Sequence, residues 1–401
     1  MSLARAAPLA AGVGALAATT VAVLAVRGLT RTDGSPIAPG GAREDLWTGG
    51  VMGAFVLYAA GAALLRRGLV PLAAVAAVAA AIQLVPLAAP LLLSRDVYLY
   101  WDYGRIAEVH GGNPYADLPE RWPDDPAFKQ MSSAWYREYS PYGPAWTLVS
   151  EADAALSGSS PSRAAWIFRG FATAGVLLLL LVVGLATRSP FALALVGWNP
   201  LLALHFAGGG HNDAWMLALL AAALALDRTA SRWSGAAWAL AIGIKWVPLV
   251  FLPLDYMRAR ALRRRFPVRS IVVGAVLFVA VASALFGYHW IRSAAPISNQ
   301  LREANSLAVP TQLGLGSRRG ELLFGIVFAA GYVLLFLRAR GGSPVLGRTA
   351  LLLLVCVTWL VPWYGVWPLA LSALEGDGVA QLLAVAFTGY LLSDALPLFN
   401  S

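Results

Sequence analysis

Apolar residues in this chain come in long blocks separated by short polar connectors. The blocks run over 8–27, 47–65, 69–93, 144–157, 164–187, 190–206, 212–227, 234–254, 270–290, 320–338, 346–362, 364–375 and 379–396. A helix needs roughly 18–20 consecutive apolar residues to cross a bilayer core, and within lipid every backbone N–H and C=O must be satisfied inside the segment. The pattern therefore predicts an all-α polytopic membrane protein with about 11–13 transmembrane helices. The spread comes from two short blocks, 364–375 and 144–157, the latter carrying Glu151 and Asp153. The first block exceeds the apolar region of about 7–15 residues usual in a signal peptide and is expected to be a retained first span. No internal repeat or soluble-domain pattern interrupts the blocks, so residues 1–401 read as a single multi-span domain.

Composition strengthens this picture. Hydrophobic residues make up 59% of the chain and charged residues 13%, whereas soluble domains run nearer half and a quarter. The 15 Trp and 13 Tyr suit the aromatic belts at membrane–water boundaries. The net charge of +9 is no nucleic-acid signature, because the basic residues sit in connectors between apolar blocks. A single cysteine, Cys356, excludes an intrachain disulfide and any cysteine-built metal or iron–sulfur site.

Two connectors are long, 94–142 and 291–319. A shorter one, 255–269, carries Arg258, Arg260, Arg263, Arg264, Arg265 and Arg269. Placing this arginine cluster in the cytoplasm puts both long loops outside. That orientation also requires block 144–157 to cross the membrane. The first long loop holds eight acids (Asp96, Asp102, Glu108, Asp117, Glu120, Asp124, Asp125, Glu138) against five bases (Arg95, Arg105, Arg121, Lys129, Arg137). Asp96 follows directly on an apolar block, so it is expected at the membrane surface, where a carboxylate can meet a lipid headgroup. A general base needs that reach, and partial burial helps to raise its pKa. The plainer alternative is an interfacial Arg95–Asp96 pair among belt aromatics.

Other polar residues stand in apolar surroundings. Lys245 lies within a block, a functional candidate by default, with an ion pair to a carboxylate such as Asp213 as the structural alternative. His211, Asn212 and Asp213 follow three glycines and read as a buried polar network or donor contact; two ligand types at i, i+2 without a third predict no metal. In the second loop, Arg302 first and Arg292 second have the paired donors that hold a departing phosphate, and Lys245 and His211 join them as phosphate candidates. Arg95, Tyr98, Asp102, Asn113, Tyr115, Tyr142, Asn212, Asp213, Trp363 and Tyr364 complete the expected substrate groove, although belt aromatics are the commoner role for such tyrosines and tryptophans.

The run "SRDVYLYWDYGRIAEVHGGNPY" from Ser94, followed by "YSPYGPAW" from Tyr139, resembles the actinobacterial polyprenol-phosphate-mannose-dependent α-1,6-mannosyltransferases of lipomannan synthesis, in the GT-C superfamily of membrane glycosyltransferases. "WNPLLALHFAGGGHNDAWM" (Trp198–Met216), "GIKWVPLVFLPL" (Gly243–Leu254) and "LVPWYGVWPLALSAL" (Leu360–Leu374) extend the likeness in order along most of the chain. The resemblance implies a GT-C-type helical bundle with an extracytoplasmic catalytic loop carrying juxtamembrane helices. It further implies a polyprenyl-phosphate sugar donor, a lipid-linked glycan acceptor, an active site outside the plasma membrane, and neither cofactor nor metal. Asp96 inherits the general-base role, with Asp102 as fallback. A transporter or flippase is the alternative, supported by Lys245 and His211; a ligase or polymerase using lipid-diphosphate donors fits the motifs less well.

Overall fold

The computed structural model describes residues 3–27, 41–66, 70–294 and 305–396. Among these, every regular element is helical, and the chain is an all-α polytopic membrane protein. In chain order the helices are α1 (Leu3–Val26), α2 (Ala42–Leu65), α3 (Leu72–Leu84), α4 (Asp96–Glu108), α5 (Pro144–Ser157), α6 (Pro161–Thr187), α7 (Pro190–Gly197), α8 (Pro200–Ala203), α9 (Asp213–Asp227) and α10 (Ser234–Ile244). They continue as α11 (Leu252–Ala261), α12 (Val268–Phe286), an unnumbered single turn at Val309–Gln312, α13 (Arg318–Arg340), α14 (Leu346–Cys356), α15 (Val366–Glu375) and α16 (Gly378–Leu391).

Six helices among the described residues are long and apolar enough to cross a membrane: Ala6–Val26, Ala42–Leu65, Pro161–Thr187, Val268–Ala294, Arg318–Arg340 and Gly378–Ala395. A seventh span is possible if Pro190–Gly197 and Pro200–Gly208, bent by 50°, count as one. Fewer full spans than apolar blocks arise because several blocks fold as shorter apolar helices, namely Leu72–Ala88, Ser234–Ile244 and Leu346–Cys356. The block 234–254 breaks at Lys245, which leaves the helix with extended backbone ahead of a 3-10 turn over Val247–Val250. Pro248 and Pro253 explain the break, since proline lacks the N–H that a continuing helix needs. Helix α5 has 14 residues, short of the roughly 20 needed to cross, so by length it does not supply the crossing that the expected orientation requires.

The chain divides into two compact units, one of residues 1–94, 169–214 and 362–401, the other of 95–168 and 215–361. In the first, α1 and α2 pack so closely at Gly50 that a Cβ there would sit 2.8 Å from the Ala18 carbonyl oxygen. Small residues at such crossings are how membrane helices gain contact without a hydrophobic driving force. The indole of Trp198 lies over Gly12 and Gly61 and donates to the Val75 carbonyl at 3.1 Å. Trp198 also marks the bend between α7 and α8, where Pro200 interrupts the backbone ladder. Buried Gln83 covers the freed carbonyls, donating to Gly197 at 3.0 Å and Asn199 at 3.3 Å. The Asn199 side chain caps α8 by accepting from Leu201 N.

In the second unit, α10 and α12 cross at Gly235, where a Cβ would meet the Ser270 carbonyl. Helices α12 and α13 are largely uncovered: 11% of the most apolar window of each is buried, against 39–44% for the other four long spans. Their outward residues, such as Val276, Leu277, Leu322 and Ile326, are apolar, as lipid-facing positions require.

Candidate active site

Helix α4 carries the candidate base. Asp96 occupies its first turn and is half-buried, a position where a carboxylate is favoured by the helix dipole. The chain enters this helix through Leu93, whose φ of 62° is a left-handed conformation costing a leucine roughly 1–2 kcal/mol. Ten consecutive residues, Val97–Ile106, are buried, so α4 is a core helix of its unit. Tyr100 makes edge contacts with Tyr142, Trp146 and Phe168 at 4.8, 5.2 and 5.4 Å. Gly104 lets α5 approach: a Cβ there would lie 2.0 Å from the Ser150 carbonyl oxygen.

Further along α4, Asp102 is 3% exposed and its Oδ2 has no partner among the described residues. Burial, augmented by the Asp125 charge and opposed by Arg105, pushes its carboxyl up to about 8. Asp102 is thus mostly protonated at neutral pH. Asp125 is the opposite case. Arg105 Nε donates to its two oxygens at 2.8 and 3.0 Å, Ala127 N–H donates at 2.8 Å, and His110 Nε2 lies at 2.7 Å. Burial raises the Asp125 carboxyl, but these hydrogen bonds outweigh it and hold the group below the usual range. Trp122 stacks on His110 at 4.8 Å, and Arg105 also reaches the Gly158 carbonyl.

The predicted groove residues of this loop are largely structural in position. Tyr115 is fully buried, its hydroxyl 2.6 Å from Thr147 Oγ1 and donating to the Tyr142 carbonyl at 3.0 Å. Asn113 Nδ2 donates to the Phe286 carbonyl at 2.9 Å, and its Oδ1 accepts from Tyr115 N. Tyr98 and Tyr142 are buried, while Arg95 precedes α4 half-buried. Exposed Arg292 lies over the Tyr139 ring at 5.4 Å. Lys245 sits half-buried at the α10 break. Arg302 lies outside the described residues.

A second cluster forms within the first unit. The chain after α8 runs through a π-helical turn, Leu204–Gly208, a wide turn that recurs at functional sites. Buried Arg169 fixes it by donating to the Ala207 carbonyl at 2.8 Å and to Pro86 at 2.7 Å; Leu92 N donates to Gly208. Gly209 and Gly210 follow, Gly210 at φ 77°, and a Cβ on Gly209 would come within 3.1 Å of His211 Nε2. His205, His211, Asn212 and Asp213 are all fully buried. The His211 ring stacks on Trp363 at 3.5 Å, with His205 5.7 Å from His211 and 5.5 Å from Trp363. Asp213 Oδ1 accepts from Trp367 Nε1 at 2.8 Å, and Tyr364 stacks on Trp367. Both ring nitrogens of His205 and both side-chain polar atoms of Asn212 lack hydrogen-bond partners among the described residues.

Sequence reading missed His205, Arg169 and the Arg105–Asp125–His110 network. Arg169 stands in an apolar block, where an ionisable residue is a functional candidate just as Lys245 is. The π turn that brings His205 to His211 has no sequence signal of its own. No trio of His, Cys, Asp or Glu suited to a metal occurs among the described residues.

Comparison with known proteins decides the family. The family description alpha-(1->6)-mannopyranosyltransferase, N-terminal domain, matches residues 6–259. The chain belongs to this family. The matched span takes in Asp96, Asp102, His205, His211 and Lys245. Alpha-(1->6)-mannopyranosyltransferase A of Mycobacterium tuberculosis is 30% identical over 342 residues, covering 74% of this chain and 65% of that protein. A probable alpha-(1->6)-mannopyranosyltransferase of Mycolicibacterium smegmatis is 32% identical over 271 residues, covering 61% and 45%. Alpha-(1->6)-mannopyranosyltransferase B of Corynebacterium glutamicum is 27% identical over 337 residues, covering 71% and 55%. The chain therefore matches two thirds or less of the length of these relatives. No solved structure matches it.

Proposed function

We propose that this family member is an inverting mannosyltransferase that moves mannose from a polyprenyl-phosphate-mannose donor to a lipid-linked mannan or glycan acceptor, outside the plasma membrane. The reading rests chiefly on Asp96, a half-buried carboxylate in the first turn of a buried helix, and is supported by the names of the relatives. Asp96 takes a proton from an acceptor hydroxyl, whose oxygen attacks the anomeric carbon. The bond from that carbon to the phosphate oxygen breaks, and polyprenyl phosphate departs with the bonding electrons. Inversion of a β-linked donor gives an α-mannoside. Arg292, Lys245 and Arg302 are the proposed cations for the phosphate.

A positioned general base contributes about 10²–10⁴-fold. Asp96→Asn, folded as judged by thermal unfolding in detergent, should therefore lose at least about 100-fold in transfer of labelled mannose from the purified donor. Normal transfer by that variant would remove Asp96 from the mechanism. The bent pair Pro190–Gly197 and Pro200–Gly208 favours a second reading, since broken helices beside buried polar groups also serve transport. Proteoliposomes that score mannose transfer and lipid translocation separately distinguish the two.

A further inference from the structure

We propose that His205 and Asn212 form a hexose-recognition subsite, in which side chains that both donate and accept hydrogen bonds hold sugar hydroxyls. This deepens the mannosyltransferase reading and rests on it. His205 and Asn212 are fully buried, and all four of their polar side-chain atoms have no hydrogen-bond partner among the described residues. Folded proteins seldom leave buried polar groups unmatched, and those that do occur call for an explanation such as a ligand. The surrounding backbone is meanwhile firmly held: Arg169 takes the Ala207 and Pro86 carbonyls, and Leu92 N takes Gly208. The turn is thus fixed while the side chains it displays are left open.

The chemistry of the cluster selects a sugar over a phosphate. A carboxamide offers both donors and acceptors, and an imidazole one of each, which matches hydroxyl groups that themselves donate and accept. Asp213 is buried beside them and would oppose a phosphate anion. The half-buried Trp363 ring, stacked on one face by His211, borders the same cluster. His211, expected from sequence among the phosphate contacts, falls on the sugar side of this arrangement.

The test uses the full chain in detergent, with Asn212→Leu and His205→Leu as disrupting variants and His205→Gln as the conservative one. Synthetic polyprenyl-phosphate-mannose and sugar-free polyprenyl phosphate are titrated, and transfer kinetics are measured against donor and acceptor separately. Asn212→Leu and His205→Leu should weaken binding of the mannosylated lipid at least about tenfold, leaving sugar-free lipid binding within about twofold. His205→Gln should restore much of the loss. A KM rise confined to the donor is expected and places the donor mannose in the subsite; a rise confined to the acceptor, with mannosylated-lipid binding intact, would overturn the proposal. Removing unmatched polar atoms should also leave Tm unchanged or raise it by about 1–2 °C. Equal loss for both lipids would overturn the proposal in favour of phosphate binding. A Tm fall with unaltered binding and kinetics would make the cluster purely structural, bridged by buried water. If wild type binds mannosylated lipid selectively yet transfers no mannose, the transferase reading fails while the subsite stands.

Discussion

The two polar clusters handle buried hydrogen-bonding groups in opposite ways. Around α4, the Asp125 carboxylate is matched by Arg105, His110 and the Ala127 N–H, while Asp102, whose Oδ2 has no partner among the described residues, is mostly neutral at pH 7. Around the π turn, His205 and Asn212 are left without partners among the described residues. Each unmatched buried group costs about 1–3 kcal/mol. The contrast separates a charged network matched by its own neighbours from buried side chains that have no partner among the described residues. It also cautions against reading every charged residue of the 94–142 loop as catalytic: Arg105, Asp125 and His110 bind one another within it.

The contrast can be broken at several points. The largest effect is expected for Asp125→Ala, which strands the buried Arg105 guanidinium. Breaking a buried pair costs roughly 3–5 kcal/mol, measurable as a large Tm loss in detergent, and an unchanged Tm would mean that the network is ornamental. Arg169→Met should follow, because it orphans the Ala207 and Pro86 carbonyls at about 1–3 kcal/mol each. Unlike Asp125→Ala it acts on the π turn, so mannosylated-lipid binding should fall as well. Gly104→Ala drives a methyl into the Ser150 carbonyl and should cost about 1–3 kcal/mol by overpacking, parting α4 from α5.

The smallest effect is the most specific. Burial pushes the Asp102 carboxyl up from its ordinary value of 3.8 to about 8, so the folded state holds this proton more tightly than the unfolded chain. The resulting stability is complete below about pH 4 and disappears as pH rises through about 8. Asp102→Asn, a near isostere of the protonated acid, should match the wild-type Tm near pH 4 and flatten its fall between about pH 4 and 8. An identical pH slope in the variant would show that Asp102 is ionised throughout. Full activity in the same variant would also leave Asp96 as the sole candidate base on α4.

Much was legible in the chain itself. Block lengths and the scarcity of charge required helices in a membrane, because lipid offers backbone groups no other partner. The run beginning at Ser94 marked out the acids that α4 carries, and His211, Asn212 and Asp213 were legible as buried polar residues. Three-dimensional packing decided the rest. Whether an apolar block is one straight span depends on proline breaks and on remote side chains such as Gln83, which satisfies carbonyls more than 100 residues away. Whether an aromatic or amide lines a groove or braces a loop depends on partners such as Thr147 for Tyr115 and Phe286 for Asn113. Hydropathy records what a residue prefers to leave; only the fold records what it meets, which is why Asp96 could be named from sequence and His205 could not.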